Sequence, residues 1–213
     1  MKIKQEWKVV IVIGLIVSTI IYFIKRKKSA NSDNTSDDVV ISNVLPNNVK
    51  NLMNKLKDDW EVEITQNHID KEFAQEGQIR EDNKGVNKQA EQKILELIKE
   101  CKTANKTVSF PSKSIISSYR SYNDQVINFG KKVKIDKRTI EDVQSYNCLP
   151  AFSQHHTGKA FDIFSTKPEW WNKNLKVKKW VEDNCEKYGF VLPYKNKGVL
   201  RNAEAWHLFY NAN

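Results

Sequence analysis

The fold and the candidate site depend on one stretch of sequence, SQHHTGKAFD at residues 153–162, and on a shorter block, EAWH at residues 204–207. Within the longer stretch, His155 and Asp162 lie on either side of Gly158. Glycine tolerates the backbone conformations with which a chain reverses direction. A side chain before the turn and one on the strand after it can therefore face the same point. The stretch predicts a turn and a strand that bring two potential metal ligands together.

A third potential ligand, His207, ends the shorter block. Two imidazoles and one carboxylate suit zinc, and a set of three leaves a fourth coordination position open for water. A structural zinc site more typically uses four Cys or His ligands, and the sequence offers no evident fourth ligand. Glu204, three residues before His207, could handle a proton of that water, although a hairpin carboxylate is otherwise an ordinary surface group. The blocks predict a catalytic Zn²⁺ site formed by His155, Asp162 and His207.

The other two histidines are not expected to bind the metal. His156 follows a proposed ligand directly, and consecutive residues of an extended chain point to opposite faces. We therefore predict packing or support of the ligands for His156 rather than ligation. His68 lies far from both blocks and is predicted to be a surface residue.

Together the blocks resemble a known family. The pattern S-x-H-x-x-G-x-A-x-D followed by E-x-W-H is similar to that of the VanY-type zinc D-alanyl-D-alanine carboxypeptidases, members of the LAS metallopeptidase superfamily with the Hedgehog/DD-peptidase fold. Two further runs agree. SSYRSYNDQ at residues 117–125 is similar to the family's S-G-Y-R-S-x-x-x-Q, and YGFVLPY at residues 188–194 resembles its Y-G-F-I-L-R-Y. The resemblance covers residues 87–211, with the blocks in the family's order.

The resemblance implies a zinc peptidase that removes the terminal D-Ala from peptidoglycan stem peptides. Glu204 would then act as general base and afterwards as general acid. Arg120 would stabilise the oxyanion of the tetrahedral intermediate. Ser153 and Gln125 are implied as residues that hold the substrate, whereas Tyr119 and Tyr122 are predicted to serve in packing.

The sequence departs from the family pattern at several positions outside the ligands, among them Ala151, where the family has Gly in Pro-Gly-x. Ser118 replaces a usual Gly, Ala205 replaces the Pro of E-P-W-H, and Pro193 stands where an Arg is common. The last change bears on the substrate. An endopeptidase or an L,D-carboxypeptidase on the same scaffold therefore remains an alternative, as does a non-catalytic zinc-containing module that binds the cell wall.

The 213 residues carry a formal net charge of +9, which is unevenly distributed. Residues 1–28 contribute +6, residues 29–86 contribute −6, and residues 87–213 contribute +9. The positive charge of a basic domain is compatible with binding to an anionic cell-wall polymer, with binding to a nucleic acid, or with a surface that is merely solvated. Long basic tracts interleaved with aromatic residues are missing from residues 87–213, so no nucleic-acid partner is predicted.

The N-terminal segment predicts a membrane anchor. Residues 9–24, VVIVIGLIVSTIIYFI, form an uncharged apolar run that is followed directly by four cations at residues 25–28 rather than by a cleavage site. We interpret it as an uncleaved single-pass transmembrane helix, with a cleaved signal peptide as the alternative. The flanking positive charges are nearly balanced. A wall peptidase, however, needs its catalytic domain outside the cell membrane.

The predicted organisation has four parts: a membrane anchor at residues 1–28, a linker at 29–44, a helical, charge-rich extension at 45–86, and the zinc D,D-carboxypeptidase domain at 87–213. The fold class is α+β, with a small antiparallel sheet flanked by helices. Helices are expected at 45–60, 87–101, 123–129 and 177–188, strands at 108–110, 114–120, 160–164, 190–194 and 205–210, and irregular chain at 61–86 and 131–150.

Three cysteines, Cys101, Cys148 and Cys185, are too few for a disulfide scaffold, and none lies in a C-x-x-C pair. A single disulfide between two of them remains open. Cys148 is close enough in sequence to His155 to approach the zinc, but we favour a small buried residue. The sequence predicts no particular oligomeric state.

Overall fold

A computed structural model describes residues 45–198 and 200–212 of the chain. Within these residues the fold is α+β, as predicted. The α-helices are α1 (Asn47–Trp60), α2 (Gln66–Glu76), α3 (Lys88–Ala104), α4 (Tyr122–Lys134), α5 (Ile140–Gln144), α6 (Pro168–Lys173) and α7 (Leu175–Asn184). The strands are β1 (Ile115–Ser117), β2 (Ala160–Ile163), β3 (Phe190–Val191) and β4 (His207–Tyr210), and two 3₁₀ helices span Gln154–Thr157 and Cys185–Tyr188.

The four strands form one antiparallel sheet in the order β1-β2-β4-β3. Strand β2 occupies an inner position and all four of its residues are buried. On one side of β2, Asp162 lies opposite His207 of β4. On the other side, the same residue lies opposite Ser117 of β1. The predicted strand at 160–164 and the hairpin between β3 and β4 are confirmed, although both hairpin strands are shorter than predicted.

Two clusters of buried apolar side chains support the sheet and the helices. The first contains the apolar stripe of α3, residues of β2 and β4, and Val177 and Val181 of α7. The second joins α1 to α4 and includes Leu149 and Phe152, immediately before the ligand block. Burial of apolar surface contributes about 25 cal/mol per Å², so these clusters are the main source of stability for the scaffold.

Helix α4 is longer than the predicted helix at 123–129, and the reason lies in a distant contact. Ser121, rather than Asn123, caps it through a reciprocal pair of hydrogen bonds with Asp124. Gly130 was expected to end the helix but lies within it. A Cβ atom at Gly130 would come within 2.2 Å of the Trp60 ring, so the glycine permits α1 to pack against α4. Helix α5 likewise replaces part of the irregular chain predicted at 131–150.

The prediction of irregular chain at residues 61–86 was wrong, because helix α2 lies within this range. Thr65 caps this helix in a capping box whose second member is His68. The prediction of a surface position for His68 was also wrong, since only 7% of the residue is exposed. Its Nδ1 accepts from the backbone N–H of Thr65 (3.1 Å) and its Nε2 lies 3.1 Å from Glu141 on α5.

Two smaller predictions differ from the structure at the β1 edge. Residues 108–110 form no strand, and the strand predicted at 114–120 is limited to Ile115–Ser117 by an irregular register against β2. The helices predicted at 45–60, 87–101 and 177–188 are confirmed, the last as α7 followed by a 3₁₀ turn that ends at Gly189.

The predicted anchor at residues 9–24 lies outside the described residues. Among residues 45–198 and 200–212, no helix combines the length and the apolar character that crossing a membrane requires.

Candidate metal centre and active site

The structure brings the three predicted ligands together. His155 lies on the 3₁₀ helix Gln154–Thr157, Asp162 on β2, and His207 at the start of β4, directly opposite Asp162. One ligand atom from each residue lies within 4.8 Å of the others, and all three side chains are buried. Segments distant in sequence thus converge on one point, as a metal that links them requires.

The turn between the first two ligands depends on its glycine. Gly158 has φ of 66°, a left-handed conformation that ends the 3₁₀ helix. A Cβ atom there would also come within 2.0 Å of the carbonyl oxygen of Gly85. At the other end of the turn, Ser153 caps the helix, because its hydroxyl accepts from the backbone N–H of His155 (3.3 Å).

Outer hydrogen bonds orient both imidazoles. His155 donates from Nδ1 to the carbonyl oxygen of Ser118, which leaves Nε2 facing Asp162 at 3.4 Å. His207 has its Nδ1 2.9 Å from Asp162, while its Nε2 donates to the side-chain oxygen of Gln154 (3.2 Å). Each ring therefore turns one nitrogen toward the shared carboxylate and has its other nitrogen held by an oxygen acceptor, as metal-binding histidines typically do. This donor set fits zinc.

The electrostatics of the trio also suit a divalent cation. Burial opposes ionisation of Asp162, but His155 and His207 together hold the pKa of this carboxyl well below its usual range. Burial lowers the pKa of His155, whereas Asp162 raises that of His207 against the effect of burial. The carboxylate and neutral imidazoles are the forms that bind metal, so zinc competes with the proton that Asp162 favours on His207.

His156 lies next to the trio without joining it. Its Nδ1 donates to the carbonyl oxygen of Arg120 (2.7 Å), its Nε2 accepts from the backbone N–H of Ala151 (3.2 Å), and its ring packs edge-on against Tyr122. Burial lowers the pKa of His156 to about 4, so the ring is neutral. Both ring nitrogens are occupied by the protein, which fits the supporting role predicted for this residue.

Glu204 lies in the same cavity as the three ligands. Its backbone N–H donates to the carbonyl oxygen of Tyr194 (2.8 Å), and the next residue but one, Trp206, is buried in the first apolar cluster. Burial raises the pKa of Glu204 to about 7, with the His207 charge opposing the shift and Asp162 adding to it. A carboxyl whose pKa lies near neutrality can accept and return a proton under ordinary conditions.

Arg120 also lines the cavity, and it is fixed in place. Its Nη1 donates to Gln125 (2.8 Å) and its Nη2 donates to Ser117 (3.2 Å). Gln125 is fully buried, and its amide nitrogen donates to the carbonyl oxygen of Cys148. Gln125 is not among the residues that line the cavity, and its hydrogen bond makes it a support for Arg120, while its contact with substrate stays a prediction. Ser153 does line the cavity, in addition to capping the turn.

The cavity has a volume of about 350 Å³ and a strongly polar lining. Sequence reasoning missed several of its residues, including Gln154, Lys132, Arg138, Tyr146 and Arg201. Gln154 could have been found from its place between Ser153 and His155, but nothing local indicates that Arg201 is buried. Pro193, where the family commonly has Arg, is exposed and does not line the cavity.

Comparison with known proteins agrees with this geometry. The family described as VanY, D-alanyl-D-alanine carboxypeptidase, matches residues 83–213. YodJ of Bacillus subtilis strain 168, described as a carboxypeptidase, is 36% identical over 104 residues, which are 45% of this chain and 37% of YodJ. A D-alanyl-D-alanine carboxypeptidase of Enterococcus faecium is 31% identical over 102 residues, which are 45% of this chain and 29% of that protein.

Among solved structures, DacB from Streptococcus pneumoniae D39 is 31% identical, with a TM-score of 0.49 over 61% of this chain and 68% of DacB. The chain spans about a third of the length of the two curated relatives. The family match, in contrast, extends over more than half of the chain and contains every residue of the candidate metal centre. The chain therefore belongs to the VanY family of D-alanyl-D-alanine carboxypeptidases.

Proposed function

We propose that this protein is a zinc peptidase that hydrolyses peptidoglycan stem peptides and releases the terminal D-Ala from D-Ala-D-Ala. One observation carries the proposal. Three metal-competent side chains and a carboxyl group with a pKa near neutrality, Glu204, line the same cavity. A structural zinc site needs neither a cavity nor a base, whereas hydrolysis at a metal needs both.

His155, Asp162 and His207 would hold the zinc. Bound in a three-ligand site, zinc makes water a nucleophile near neutral pH and polarises a carbonyl group. Buried ligands with fixed rings favour that role, because a preorganised site needs little rearrangement as charge develops.

Glu204 would move the proton. As a carboxylate it takes a proton from the attacking water, and as an acid it gives that proton to the departing amine. Burial keeps both forms accessible near pH 7, which is the condition for one group to perform both steps. The guanidinium of Arg120, held by Ser117 and Gln125, would stabilise the negative charge on the oxygen of the scissile carbonyl.

The location of the enzyme forms a second part of the proposal. A substrate in the cell wall requires the catalytic domain to lie outside the cytoplasm, and residues 9–24 would anchor it to the cell membrane. Protease added to intact cells should then degrade the domain while the membrane fraction keeps the N-terminus. Protection of the domain would contradict the orientation, and a mature chain that begins after residue 28 would contradict the anchor.

Mass spectrometry of a stem pentapeptide, before and after incubation with the zinc-loaded protein, tests the activity. We expect the loss of one alanine, and Glu204→Gln should slow it by at least about 10²-fold while folding and zinc binding persist. Release of D-Ala from a tetrapeptide alone would indicate an L,D-carboxypeptidase, and a cut within the stem would indicate an endopeptidase. If neither wild type nor Glu204→Gln cuts any bond and both bind peptidoglycan equally, the protein is a binding module.

A further inference from the structure

A second group of buried charged side chains lies outside the metal centre. Glu72 and Glu76 are one turn apart on α2, upstream of the residues that match the family, and both are buried. The guanidinium of Arg201 is 1% exposed. Its Nη2 lies 2.8 Å from Oε2 and 3.1 Å from Oε1 of Glu72, and its Nε lies 3.5 Å from Glu76. The mechanism proposed above uses none of these three residues.

Tyr194 connects this group to the metal centre. Its hydroxyl donates to the carboxylate of Glu76, with oxygens at 2.9 and 2.8 Å. Its ring packs against the ring of His207, with centroids 4.9 Å apart. Its carbonyl oxygen accepts from the backbone N–H of Glu204. One residue therefore touches α2, a metal ligand and the backbone of the proposed base.

Arg201 makes a second connection, to the segment that leads into Glu204. Glu72 has two partners besides Arg201, since it accepts from the side chain of Gln144 (3.1 Å) and from the backbone N–H of Leu149 (3.0 Å). A side-chain oxygen of Gln75, also on α2, accepts from the backbone N–H of Leu200 (3.0 Å). Residues 200–204 contain no helix or strand, so these contacts replace the support that a regular element would supply.

We infer that α2 positions the active site: Glu76 acts through Tyr194 on His207 and Glu204, and Glu72 acts through Arg201 on the segment before Glu204. Both glutamates are positioning residues, since neither reaches the metal ligands or the substrate. Charged hydrogen bonds in a buried site are strong and directional, so they restrict the segment to one arrangement. The inference rests on the proposed function for its meaning, but zinc affinity tests it without any peptide.

Tyr194→Phe tests the first connection in the full chain. It removes only the hydroxyl, and keeps the ring on His207 and the carbonyl oxygen that holds Glu204. Groups behind metal ligands typically affect metal affinity by about 10- to 100-fold. We expect the zinc dissociation constant, measured by competition with a chelating dye, to rise about tenfold, and kcat to fall about tenfold with KM within about twofold. Tyr188→Phe, at a half-buried tyrosine that does not line the cavity, is the matched control and should change neither quantity.

Glu76→Gln and Glu76→Ala test whether the carboxylate acts through the tyrosine. Glutamine can still accept from the Tyr194 hydroxyl, so it should retain zinc affinity and kcat better than alanine. Asp70→Asn, on the exposed face of the same helix, is the control. Wild-type zinc affinity and kcat in folded Tyr194→Phe and Glu76→Ala proteins, even with lowered melting temperatures, would overturn the inference. A wild type that binds zinc but cuts no peptide would contradict only the proposed function.

Discussion

Two buried groups in this protein consist of residue types that can bind a metal ion. His155, Asp162 and His207 form one, and Glu72, Glu76 and Cys148 form the other, and in each the potential ligand atoms lie within 4.8 Å of one another. The two groups differ in whether a cationic side chain already lies against their carboxylates. Arg201 lies against both glutamates of the second group, whereas among the described residues Asp162 of the first pairs with no lysine or arginine and only with the two histidines.

The comparison shows how a buried carboxylate comes to serve either a metal or the fold. A charge removed from water must be compensated, and compensation by a guanidinium uses the carboxylate completely. Histidines compensate only partly, and when neutral they leave lone pairs for a metal. The first group should therefore respond to substitution in metal binding and activity, and the second mainly in stability and in positioning.

The largest expected effect is on the metal. His155→Ala should reduce the zinc content from about one per chain to a small fraction and abolish peptide release, because a three-ligand site has no spare ligand. Cys148→Ala should keep one zinc, since the second group does not need one. Elemental analysis of both dialysed proteins decides between them. Full zinc in His155→Ala together with loss in His156→Ala would show that the wrong histidine had been assigned.

The next largest effect is on stability. Glu72→Ala removes the nearer of the two carboxylates that face the buried Arg201 and leaves only Glu76, at 3.5 Å, to compensate its charge. The loss of one partner of a buried pair costs about 3–5 kcal/mol of the free energy of unfolding, and Glu76 should keep the cost near the lower end. Urea denaturation of the metal-free protein measures it. Replacing all three charges, in Glu72→Leu with Arg201→Met and Glu76→Gln, should recover most of the loss, because no buried charge is then left without a partner. A triple variant as unstable as the single one would mean that the charges themselves are required.

Glu204→Gln should stabilise the metal-free protein even though it slows turnover by at least about 10²-fold. Folding raises the pKa of Glu204 from 4.5 to about 7, so the folded state binds more protons than the unfolded state between those values. Stability is therefore lost as pH rises from about 4.5 to about 7, by about 3 kcal/mol at most. Glutamine carries no such penalty, so the variant should be more stable at pH 8 and nearly equal at pH 4. Denaturation in EDTA at the two pH values checks this difference.

Much of the site could be predicted from the sequence because its signals are local. The ligands lie in two short blocks, Gly158 marks the turn between His155 and Asp162, and Gly189 marks the end of the helical segment before β3. Each of these signals acts through its own backbone or its immediate neighbours.

The parts that were missed depend on contacts between distant residues. Gly130 reads as a helix end until Trp60 is known to pack against it. Glu72 and Glu76 give α2 the appearance of a solvated, charge-rich segment, and their burial requires Arg201, which lies 129 residues after Glu72. A single sequence does not show which distant charge compensates another.

The smallest expected effect is that the three cysteine thiols do not react in the native protein. Burial raises the pKa of the Cys148 thiol well above its usual range, raises that of Cys101 to about 12, and also raises that of Cys185. Thiols react and bind zinc as thiolates, so all three should resist a disulfide reagent at pH 8 in the native protein and react fully after unfolding. All three cysteines are free and buried in the structure, so we expect no disulfide between any two of them. A Cys148 that reacted quickly, and that zinc still protected in His155→Ala, would mean that the second group binds the metal after all, and the distinction drawn between the two groups would then fail.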